Sequence, residues 1–104
     1  MKIDFNRVLI DLTGEEISES AKEPDKKATL KFITMQALMN NVRGDESLSG
    51  HDKFKQYELA QKVNTGVVEL TAEEIALIKE RIGLAFHTAI IGPAYQLLEG
   101  MPEQ

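Results

Sequence analysis

The sequence predicts an α+β domain, mainly α, in which an N-terminal β-hairpin packs on about four helices. Three observations predict it. The opening Val8-Leu9-Ile10-Asp11-Leu12 is β-rich and meets a Thr13-Gly14 turn signal. Four later segments carry apolar residues at helical spacing. Thr71-Ala72-Glu73-Glu74 reads as a capping box directly before an apolar run. A chain of 104 residues with 42% apolar and 28% charged side chains is expected to form one domain with its own core. The expected divisions are a hairpin over 1–17, a polar loop over 18–28, a helical body over 29–99 and a tail over 100–104.

The hairpin would return through Glu15-Glu16-Ile17. Ser18 to Lys27 is polar, contains Pro24 and reads as a loop. The first helix is expected from Thr29 to about Arg43-Gly44. On a helical wheel Leu30, Ile33 and Ala37 form one apolar arc, and Phe32, Met35, Leu38, Met39 and Val42 another. Thr34 and Asn41 divide them on one side, and Gln36, Asn40 and Arg43 on the other. The second helix follows Ser49, which with Asp52 resembles a capping box, and runs from about His51 to Val63. Phe54, Tyr57, Leu59, Ala60 and Val63 spread over a wide arc there, as on a surface helix. Asn64-Thr65-Gly66 ends it, with Gly66 suited to a left-handed stop, and Val67-Val68-Glu69-Leu70 is an extended connector. The third helix, expected at the centre of the core, gathers Ile75, Ile78, Ile82, Ala85 and Phe86 on one arc and Leu77 and Leu84 on a thin second stripe. The last helix is expected after Gly92, with Pro93 in its first turn and Gly100 as its stop.

Composition narrows function mainly by exclusion. The chain has no cysteine, which removes disulfides, thiolate nucleophiles and cysteine metal sites, and fits a reducing cytoplasm. Net charge is −5. Residues 1–44 hold seven basic and seven acidic side chains, and residues 45–104 hold five and ten, so the deficit lies in the second part. Direct nucleic-acid binding is disfavoured by that sign. The most apolar stretch, Ile82 to Leu98, is too short for a membrane span and is broken by Gly92-Pro93. No signal peptide is expected from Met1 to Arg7. A cytoplasmic protein is therefore expected.

The titratable residues do not assemble into a motif. His51 stands beside Asp52 at a helix start, and His87 closes the third helix, where the dipole favours a charged imidazole. Neither belongs to a metal-ligand pair at helical spacing. Asp45-Glu46 reads as a solvated loop pair lacking the ligand pattern of a calcium loop, and Glu73-Glu74 as capping. No serine lies in a nucleophile elbow, and no glycine run cradles a phosphate. Catalytic residues, a metal and cofactors are not expected. The one distinctive feature is apolar helix surface in excess of a single core. Phe32, Met35, Met39, Leu77, Leu84, Ile90, Ile91, Tyr95 and Leu98 are the candidate interface residues.

Val8 to Ile17, Leu48-Ser49-Gly50-His51-Asp52-Lys53-Phe54-Lys55-Gln56-Tyr57-Glu58-Leu59-Ala60, Val68 to Lys79 and Gly92-Pro93-Ala94-Tyr95-Gln96-Leu97-Leu98-Glu99 together resemble small phage- and prophage-encoded accessory proteins. The likeness spans most of the chain and rests on caps, turns and core positions. It implies a fold and a viral helper of assembly, or an inhibitor of a host factor, with no site residues to carry over. The leading expectation is a non-enzymatic protein-interaction module that binds protein and forms homo-oligomers. The alternatives are an acidic inhibitor of a basic surface on a host nucleic-acid-handling or defence protein and, least favoured, a small enzyme using His51 or His87.

Overall fold

The computed structural model describes residues 1–40, 42 and 44–99. Strand β1 (Lys2–Asp4) is followed by β2 (Ser18–Ser20), β3 (Glu23–Lys27) and helix α1 (Leu30–Met39). A single 3₁₀ turn (Asp45–Ser47), α2 (Gly50–Asn64), β4 (Val67–Glu69), α3 (Ala72–Ala85) and α4 (Thr88–Leu98) complete the order. The fold is α+β and mainly α, as the sequence predicts. The expected Gly100 stop and 100–104 tail, and the wheel positions of Asn41 and Arg43, lie outside the described residues.

Helix ends follow local chemistry. Thr71 accepts from the Glu74 amide while Glu74 accepts from the Thr71 amide, the reciprocal box that the sequence predicts for α3. The Ser49 hydroxyl accepts from the Asp52 amide at the start of α2. Helix α1 is started by its own Thr29, which accepts from the Phe32 amide, and by two distant carbonyls. Leu30 donates to Arg7 and Lys31 to Phe5, each at 2.8 Å. Three of the four amides left free at a helix start are thereby paired.

Phe5 is the seam of the molecule. Its amide donates to Gly66 and its carbonyl accepts from Lys31, so one residue ties the strand pair to α1. β1 and β4 pair antiparallel, with Ile3 opposite Val68 and both buried, and Lys2 opposite Glu69 in solvent. Gly66 has φ of +104°, and a Cβ there would lie 2.7 Å from the Asn6 side chain, so glycine is needed at this helix stop.

The expected hairpin exists only as a short antiparallel contact, Ile10 opposite Glu16, around a turn with Gly14 at φ of +90°. The regular hairpin lies one step later, in the segment read as a polar loop. There β2 and β3 pair with a shift in register between Ser18 and Ser20. No side chain of this ribbon is buried, so it lacks the apolar alternation that marks a strand with one face on a core. Three strand ends then close on one another. Leu9 donates to Ala28, Ala28 to Ile17 and Ile17 back to Leu9, at 2.9, 2.7 and 2.9 Å. This ring of backbone bonds fixes the hairpin arm to the entrance of α1.

The central helix is α1 rather than α3. It packs against α2, α3 and α4, with Leu30, Ile33, Ala37 and Leu38 buried. α3 supplies Ile75, Ile78 and Ile82 to the same core. Thr34, expected to divide the two arcs of α1, is itself buried, and its hydroxyl has no hydrogen-bond partner. A buried hydroxyl without a partner costs about 1–3 kcal/mol. Thr34→Val, which keeps the shape, is expected to raise stability by about 1 kcal/mol in urea denaturation.

α4 begins at Thr88, five residues before the expected start, and Pro93 lies in its interior. Proline hinders the α conformation of the residue before it, and that residue is Gly92, which has no Cβ to clash. α4 is held to α3 by a notch. A Cβ at Gly83 would lie 2.9 Å from the Tyr95 hydroxyl, which donates to the Lys79 carbonyl. The Lys79 ammonium stands 5.6 Å from the centre of the Tyr95 ring and pairs with Glu99 at 3.1 Å.

Candidate functional site

The densest polar constellation joins the C-terminal end of α1, the 3₁₀ turn and α3. Arg81, only 4% exposed, donates from Nε to the Ala37 carbonyl and from Nη2 to the Asn40 carbonyl, each at 2.9 Å. These are carbonyls that the end of α1 leaves without helical partners. The same guanidinium grips Asp45 in a two-point pair, Nη1 to Oδ1 and Nη2 to Oδ2. Asp45 Oδ2 also accepts from the Val42 amide at 2.7 Å. Asp45 is thus buried and paired, not the solvated loop acid expected from sequence. One side chain of α3 closes α1 and anchors the turn that leads into α2.

A surface depression of about 170 Å³ opens above this clamp. It is lined by Asp45 and Arg81, by Leu38, Met39 and Asn40 of the α1 end, and by Lys53, Gln56 and Tyr57 of α2. Gln56 is buried, whereas Met39 is 52% and Tyr57 47% exposed. Phe54, one helical turn before Tyr57, is 56% exposed. Lys53, Arg81 and the single carboxylate of Asp45 leave this lining with one net positive charge in a chain whose net charge is −5.

Arg81 left a trace in the sequence. On the α3 wheel it falls between the arc of Ile78 and Ile82 and the stripe of Leu77 and Leu84, so apolar positions flank it on both sides. A basic residue there must be buried or must divide two packed faces. Its partner, 36 residues away, leaves no comparable sign.

The chain matches no known family, no curated protein and no solved structure.

The candidate interface residues divide three ways. Leu98 is wholly buried and belongs to the core, because α4 turns this face onto α1 and α3; that expectation is corrected. Phe32, Met35, Leu77, Ile90, Ile91 and Tyr95 are half-buried against the core. Met39 and Leu84 are exposed. His51 is exposed in the first turn of α2, and His87, also exposed, is the residue before α4 rather than the close of α3. Among the described residues no group of three His, Cys, Asp or Glu side chains is placed to hold a metal. No described helix is long and apolar enough to cross a membrane.

Among the described residues, three carboxyls are held below their ordinary range. For Asp45 the Arg81 hydrogen bond is the main cause; burial opposes it, and the Val42 amide and the charges of Arg81 and Lys53 reinforce it. Burial raises Glu74, but bonds from the Lys62 ammonium and the Thr71 amide outweigh it. Asp11 is lowered chiefly by the Thr13 hydroxyl and the Glu15 amide. A depressed folded-state carboxyl stabilises the fold above its unfolded pKa and loses that contribution as pH falls through its folded value. Stability is therefore expected to be flat near neutrality and to decline below about pH 5. Urea midpoints measured against pH check this, and Asp45→Asn is expected to flatten the acid limb.

Proposed function

We propose that this chain is a non-enzymatic protein-interaction module that self-associates, and that it is a phage or prophage accessory protein. The observation that carries this reading is the exposure of Met39 and Tyr57, which line the depression above the buried clamp, with Phe54 exposed one helical turn before Tyr57. Aromatic and methionine side chains supply large contact areas with adaptable fit, and they are enriched at protein interfaces. The clamp beneath them holds α1 and the turn before α2 in fixed relation, so the cluster is presented on a rigid base. A large apolar side chain held in solvent on such a base costs nothing in the core and contributes when a partner covers it.

Site-specific photocrosslinking in the native host tests the reading. A photoreactive phenylalanine analogue at position 54 is expected to give a discrete protein adduct. The same probe at Gln61, an exposed polar position of α2, is expected to give none. Equal, diffuse labelling from both positions would remove this surface as a binding face.

A further inference from the structure

The acidic turn at the tip of the hairpin arm is the second surface that the fold leaves without a partner. Between Val8 and Ala21 the chain carries Asp11, Glu15, Glu16 and Glu19 and no basic residue. At its apex Leu12 is fully exposed, with Ile10 beside it also exposed. The turn is built to hold that leucine outward. Asp11 Oδ1 accepts from the Thr13 amide at 2.8 Å, from the Thr13 hydroxyl at 2.6 Å and from the Glu15 amide at 3.1 Å. The Asp11 amide donates across the turn to Glu15 at 2.8 Å. An apolar side chain on a pre-ordered turn loses little further freedom on docking.

We infer that the Leu12 turn of one copy docks into the Met39–Tyr57 depression of a second copy, joining the chains head to tail. This rests on the proposed self-association and names its two faces. The charges are complementary: the turn carries only acidic side chains, and Lys53 is the one charge of the depression's lining that is not balanced within it, since Arg81 is paired with Asp45. The depression, of about 170 Å³, offers Leu38, Met39 and Tyr57 as apolar lining for the leucine side chain. Geometry keeps the two faces apart within one chain. The hairpin arm is bonded to the start of α1 through Leu9 and Ala28, and the depression lies at its other end, roughly 15 Å along a ten-residue helix. Unlike faces at opposite ends of a subunit make a heterologous contact, which closes into a ring or continues as a chain.

Leu12→Asp spoils the turn and Tyr57→Asp spoils the depression. Both side chains reach solvent, so each variant is expected to keep the wild-type circular dichroism spectrum. Sedimentation velocity over a rising concentration series should show wild type assembling and each variant alone remaining a monomer, its self-affinity reduced more than tenfold. Mixed in equal amounts, the two variants should form a heterodimer, because one intact turn and one intact depression remain. A symmetric contact between like faces would leave the mixture monomeric and overturn the inference. Assembly unchanged in both variants would also overturn it, while leaving self-association through another face standing. Strictly monomeric wild type at millimolar concentration would sink the inference and the self-association together; the crosslink from position 54 then decides separately whether the face binds some other protein.

Discussion

Arg81→Met is expected to remove about 3–5 kcal/mol of folding stability, read as a shift of the urea midpoint at neutral pH. The methionine keeps much of the apolar stem and removes every donor. Asp45 is then left buried without its cation, and the Ala37 and Asn40 carbonyls lose their cap. For a domain whose whole stability is expected at about 5–15 kcal/mol, that loss approaches unfolding. The partner deletion separates the contributions. In Asp45→Asn/Arg81→Met the stranded charge is gone, so the double variant is expected to be less destabilised than the sum of the singles. The two carbonyls should still cost it about 1–3 kcal/mol. A loss below about 1 kcal/mol in the single variant would mean that water replaces the guanidinium, and that the clamp is not dry.

Phe5→Ala is expected to cost about 3–5 kcal/mol by the same measurement. The ring is wholly buried, among the largest such side chains in the core, and its loss leaves a cavity where the strand pair meets α1. The backbone bonds of Phe5 to Gly66 and Lys31 can persist, so the effect isolates packing. Phe54→Ala is the contrast. Phe54 is a phenylalanine in solvent on α2, and its removal is expected to move stability by no more than about 0.5 kcal/mol. Two phenylalanines of equal chemistry would then differ in stability by several kcal/mol because one fills the core and the other faces outward. If both variants proved equally stable, the assignment of core and surface would fail.

What could be read from sequence alone was the chemistry of short range. Thr71 with Glu74 and Ser49 with Asp52 start helices through bonds spanning three residues, and each is visible as a spacing. Gly14 and Gly66 are two of the three described glycines at which the backbone turns left-handed, Gly44 being the third. The Leu30, Ile33 and Ala37 arc is buried as its periodicity requires. Of the arc predicted for α3, Ile75, Ile78 and Ile82 are buried, whereas Phe86 is half-buried at the helix end and Ala85 is exposed. Pro93 is a strong local signal for a first turn, so the sequence places the start of α4 five residues late. In the fold the preceding glycine admits it farther inside. Of the three residues of the proposed binding face, the sequence singles out one. Met39 is a candidate interface residue on its spacing, and it lies at the rim of the depression.

The sequence by itself determined where α1, α2 and α3 start, that Leu30, Ile33 and Ala37 and Ile75, Ile78 and Ile82 face the core, and that the fold mixes a small β element with a helical body, because those properties depend on neighbours within one or two turns. Tertiary structure alone decided that Lys2–Asp4 pairs with Val67–Glu69, and that Asp45 is buried against Arg81 while Leu12 and Tyr57 stay outside. Each of these depends on contacts between residues far apart in the chain. A charge tolerates burial only when its partner arrives from another element, and no local pattern records that arrival.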